Sequence, residues 1–98
     1  WDTCFYAALG VSDQPTELEV KIFSQWLELT LQLILPCSSC RENAVEHLKK
    51  LPPLSTTVAK GPRAIVGFLY DLKALVNESL GKSSPEREIT IDWWMLQR

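Results

Sequence analysis

Apolar residues recur along this chain at helical spacing, and a few prolines and glycines break the pattern into segments. Trp1 to Leu9 reads as a short helix stopped at Gly10. Ser12 to Glu17 reads as a turn feeding a second helix, with Thr16 as N-cap and Glu17 and Glu19 in the first turn. That helix is expected to run to about Leu35. Leu18, Ile22, Phe23, Trp26, Leu27, Thr30, Leu33 and Ile34 form one apolar face, with Trp26 packed in the core. A strand-like alternation of leucines from Leu27 to Leu33 competes with this reading. The helix is preferred because its pattern starts well upstream, contains no Gly and uses good helix formers. Leu29 and Leu31 then fall off the main face, which predicts a second burial surface suited to a homodimer.

Pro36 ends the second helix. A third runs from about Ser38 to Leu51, where Pro52-Pro53 stops it. Leu54 to Gly61 reads as a linker of Ser, Thr and Gly. Pro62 suits the first turn of a fourth helix. Ala64, Ile65, Phe68, Leu69, Leu72, Leu75, Val76 and Leu80 supply its stripe, and Gly81 its stop. Lys82 to Arg87 is a polar loop. Thr90 is a cap for a last short helix, Ile91 to Gln97. No strong strand or internal repeat is visible. The expected fold is all-α: a four-helix antiparallel bundle with a short fifth helix, in one domain spanning residues 1–98.

Composition narrows the function classes. The chain has 98 residues, 46% of them hydrophobic, which is enough for a core without a disulfide framework. The net charge of −2 and the lack of a basic patch argue against nucleic-acid binding. The longest apolar stretch, Leu27 to Leu35, is too short and too polar for a membrane span. No secretory leader is visible, but the chain starts at Trp1 rather than Met, so that carries little weight and the compartment stays open.

The candidate chemistry lies in Cys37-Ser38-Ser39-Cys40, at the predicted start of the third helix. Unpaired N–H groups and the helix dipole there favour a thiolate, which serves either a redox dithiol or a metal site. In the redox reading Cys37 is the attackable sulfur and Cys40 the inner one. The absence of a βαβ context argues against a thioredoxin fold. The metal reading needs His47 and Cys4 to complete a zinc site, and no second CxxC or His pair supports it. His47 is otherwise expected at the surface or half-buried, and Cys4 as a buried free thiol. Ser-His-Asp catalysis and a paired-carboxylate site have no support. Trp1, Trp93 and Trp94 stand at the chain ends, where large flat rings could wall a planar ligand.

The order of these features resembles the Erv/ALR family of FAD-dependent sulfhydryl oxidases across nearly the whole chain. The residues that carry it are Trp1 with Ala7-Ala8-Leu9-Gly10, Gln14-Pro15-Thr16-Glu17, and Leu35-Pro36-Cys37-Ser38-Ser39-Cys40-Arg41 before Pro52-Pro53. Phe68 to Leu72, Val76-Asn77, Leu80-Gly81-Lys82 and Glu88-Ile89-Thr90 continue it. The resemblance implies a dimeric helical bundle that passes electrons from protein or small dithiol substrates to oxygen. It implies Cys37 and Cys40 as the catalytic pair, FAD as cofactor, and Trp1, Val76, Asn77 and Lys82 at FAD-contacting positions. It is compatible with a disulfide-forming compartment or a viral or microbial setting. Phe5, Asn43 and Lys73 stand where the family usually has histidines at the FAD site, and the extra shuttle CxC pair is absent. A flavin-free relative acting as a binding or scaffold module is the competing reading, with a zinc-binding helical domain behind it.

Overall fold

The computed structural model describes residues 1–33 and 38–98, without the side chains of residues 38–40 and 44. All regular structure among them is helical. The elements are α1 (Asp2–Leu9), α2 (Glu17–Leu33), α3 (Ser38–Lys49), α4 (Leu54–Ala59), α5 (Pro62–Ser79) and α6 (Arg87–Leu96). Helix α5 is the centre, packed on α1, α3, α4 and α6. Its buried stripe of Ile65, Leu69 and Leu72 meets Cys4 and Ala8 of α1, Leu27 and Leu31 of α2, and Ile91 of α6 in one core. Each aliphatic side chain so buried is worth about 1.5–3 kcal/mol relative to exposure.

Local signals place the helix ends. Thr16 caps α2: its Oγ1 accepts the Glu19 N–H at 3.2 Å, and its hydroxyl donates to the Glu19 carboxylate at 3.2 Å. Thr16→Ala is expected to cost about 1 kcal/mol. A thermal melt checks this, and serine at the position should restore the loss. Gly81 ends α5 with φ of +72°, a conformation that favours glycine. The Lys82 N–H then reaches the Asn77 carbonyl at 2.8 Å and the Gly81 N–H reaches Glu78 at 3.1 Å, a Schellman closure.

Three expectations are corrected. The segment read as a linker contains α4. Thr57 and Val58 are buried there, and the Thr57 hydroxyl bonds the Pro53 carbonyl at 3.2 Å, so its polar atom is satisfied inside the helix. Helix α6 starts at Arg87, four residues before Ile91. Thr90 lies inside it, its hydroxyl donating back to the Glu86 carbonyl at 2.7 Å. The core face of α2 is Leu27 and Leu31, whereas Leu18, Ile22, Trp26 and Leu33 of the expected core stripe are exposed. Helix α2 is apolar on several sides, so its pattern alone does not choose which side packs inward.

Two arginines tie the ends of the fold. Arg87 forks onto Asp71 at 2.8 and 3.2 Å, clamping α6 to α5. Gly67 makes room for it, because a Cβ there would stand 2.9 Å from the guanidinium. Arg98 donates to the carbonyls of Leu9 and Val11, each at 3.1 Å, and to Asp13 at 2.6 Å, bracing the α1–α2 connection.

Candidate functional site

Beside its core stripe, α5 carries a second stripe of Tyr70, Lys73, Ala74 and Asn77, three or four residues apart. This stripe floors a cleft of about 100 Å³ closed by Phe5 of α1 and Trp94 of α6. The Phe5 and Trp94 rings lie parallel, 6° between planes and 4.6 Å between centroids. Tyr6 and Trp93 meet Trp94 edge-on at 5.1 and 4.9 Å. Such aromatic pairs add about 0.5–1.5 kcal/mol beyond area burial and hold the rings in fixed planes.

The polar wall is largely self-satisfied. The Asn77 amide donates to Ser84 Oγ at 3.2 Å, and the Tyr70 hydroxyl donates to the Pro85 carbonyl. Lys73 is different. It is half-buried, it is the sole charged side chain on the wall, and no carboxylate lines the cleft.

The structure brings together some of the predicted site residues and not others. Asn77 is on the wall, as are Phe5 and Lys73, two of the three positions where histidines are usual in the family that the chain resembles. Trp1 is half-buried against the core, Val76 is half-buried beside Asn77, and Lys82 is exposed. None of these three lines the cleft. Cys37 lies outside the described residues. Cys40 has its backbone in the first turn of α3, and its side chain is not described. Cys4 is a free thiol, 0% exposed in the core. Burial pushes its pKa up, so the thiolate is disfavoured. His47 is half-buried, and its two buried ring nitrogens have no hydrogen-bond partner among the described residues. Among the described residues no cluster of three or more His, Cys, Asp or Glu side chains could hold a metal ion, and no helix is long and apolar enough to cross a membrane.

Sequence reasoning missed Tyr70 and Ser84 as wall residues. The recurrence of Tyr70, Lys73 and Asn77 beside the apolar stripe of α5 is the signal that would have found the first. Ser84 lies in the polar loop, where spacing carries no such signal.

The sequence profile of the Erv1/Alr family matches residues 1–94, almost the whole chain. A probable FAD-linked sulfhydryl oxidase of Acanthamoeba polyphaga mimivirus is 33% identical over 82 residues, covering 84% of this chain and 56% of the relative. The chain thus spans just over half the length of that relative. No solved structure gives a significant match. The profile's extent and this level of identity show that the chain belongs to the Erv1/Alr family.

Proposed function

We propose that residues 1–98 form one FAD-dependent thiol oxidase domain that makes disulfides in protein or small dithiol substrates and passes the electrons to oxygen. Family membership supports the activity. The observation that carries the site assignment is the cleft itself, where Phe5, Lys73 and Asn77 converge. The wall chemistry fits a flavin nucleotide. Buried aromatic rings close one side, an amide and hydroxyls offer directional polar groups, and one ammonium stands among them without a carboxylate. At about 100 Å³ the cleft would take only a small part of a dinucleotide, and the remainder would lie outside it. Asn77 and Lys73 would hold the cofactor inside, with Trp1, Val76 and Lys82 as contacts beyond the cleft. In this reading helices α1, α2, α3 and α5 would make the four-helix bundle, with α6 as the fifth helix and α4 as an addition.

FAD bound at this site would supply the two-electron acceptor and the route to oxygen. The dithiol does the exchange. A substrate thiolate attacks the Cys37 sulfur of a Cys37–Cys40 disulfide, expelling Cys40 as thiolate and forming a mixed disulfide. A second substrate thiolate attacks the substrate sulfur of that bond and releases Cys37. The substrate leaves oxidised, and the pair has gained two electrons. A position in the first turn of α3 lowers the cost of the Cys40 thiolate through the free N–H groups and dipole at the helix start.

Thermal melting with added FAD tests the cofactor assignment. At a hundredfold excess over Kd the folded state gains about 2.7 kcal/mol, a clear rise in Tm. An unchanged Tm at millimolar FAD would overturn it and leave the flavin-free binding module as the better reading.

The homodimer belongs to the same proposal, but on a different face from the expected Leu29–Leu31 one, because Leu31 is 1% exposed in the core. Leu18, Ile22, Trp26, Leu29 and Leu33 of α2 are 65, 58, 38, 63 and 74% exposed, and they recur every three or four residues as one outward seam. A second copy of the seam would cover this one. Ile22→Asp is expected to shift the protein to monomer in sedimentation equilibrium with helicity unchanged. A dimer that survives Ile22→Asp and Leu29→Asp together would exclude this face.

A further inference from the structure

We infer that Lys73 is the anion anchor of the cleft, holding a phosphate of the bound nucleotide where the family usually has an imidazole; this rests on the flavin-site reading above. Four observations converge on it. Lys73 is half-buried and lines the cleft. It is the sole charged side chain on the wall, in a chain whose net charge is −2. Among the described residues no carboxylate or hydrogen-bond acceptor meets it, whereas Arg63 and Arg87 are both paired. The neighbouring carboxylate on its own helix, Asp71, is engaged by both Arg87 nitrogens. A half-buried lysine without a counterion leaves its charge available to an anion that a ligand brings. A ligand carrying phosphate is the class that uses this charge.

Lysine binds phosphate as a compact point charge, whereas a histidine at that position would contribute a directional ring N–H. The lysine contact is therefore expected to be sensitive to salt. Purified protein and its Lys73→Met and Lys73→Arg variants are titrated with FAD, with ADP and with riboflavin, following tryptophan and flavin fluorescence. Lys73→Met is expected to weaken FAD and ADP about tenfold or more and to leave riboflavin, which has no phosphate, unchanged. Lys73→Arg should recover most of the loss, and the gap between wild type and Lys73→Met should shrink at high salt. Wild-type binding of FAD with no loss in Lys73→Met would overturn the anchor alone and leave the flavin reading standing. Equal losses for FAD and riboflavin would also overturn it, making Lys73 a packing residue. Failure of the wild-type protein to bind FAD would remove both.

Discussion

Serine in place of Cys37 or Cys40 is expected to reduce thiol oxidation to background, with flavin still bound. In the proposed mechanism each sulfur is half of one redox unit, so the double variant should be no worse than either single one. The losses differ in character. With Cys37→Ser the atom that the substrate attacks is gone. With Cys40→Ser a substrate thiol can no longer be taken up through an internal disulfide. Cys4→Ser, by contrast, should leave turnover per folded molecule intact, because Cys4 is 0% exposed in the core and its thiolate is disfavoured by burial. Oxygen consumption with a small dithiol measures all three. Loss of activity in a folded Cys4→Ser protein would make Cys4 part of the electron path and overturn this division of roles.

Trp94→Ala is expected to be the most destabilising single change, at about 3–5 kcal/mol. Trp94 is 7% exposed, stacks on Phe5 and meets Tyr6 and Trp93 edge-on, so its removal loosens α6 from α1 and opens the cleft. Domains of this size have about 5–15 kcal/mol in total. Each kcal/mol moves Tm by roughly 4–8 °C in a domain of 60–100 residues, so the melt should fall by more than about 10 °C. The adjacent Trp93 is 51% exposed and serves as the control. Its alanine variant should lose about 1 kcal/mol or less. Similar melts for the two variants would show that the stacked pair does not hold α6.

What the sequence made legible follows from where its signals are local. The Thr16 cap and the Gly81 stop are short-range backbone chemistry, and both are found in the structure. Helix α5 was legible along its length because Pro62, a single apolar stripe and Gly81 agree. Helix α2 was legible as a helix but not in its orientation. Leucines occupy several of its sides, and the choice of Leu27 and Leu31 as the core face comes from the helices it meets. Helix α4 was hidden because Ser55, Thr56 and Thr57 after two prolines look like a linker. Burial of Val58 and the Thr57 back-bond decide otherwise. The cleft was legible only in pieces. The resemblance pointed to Asn77 and to the departures at Phe5 and Lys73, and folding is what sets these residues around one opening with Trp94.

In the proposed function a flavin at this cleft exchanges electrons with the Cys37–Cys40 pair. Anaerobic titration of the FAD-loaded protein with a small dithiol tests it most directly, read as the visible absorbance of oxidised flavin. The expected result is bleaching in the wild-type protein, recovery of colour with peroxide on admitting air, and a flavin that stays oxidised in Cys40→Ser. A protein that takes up no flavin, or a Cys40→Ser variant that bleaches as fast as wild type, would contradict the account.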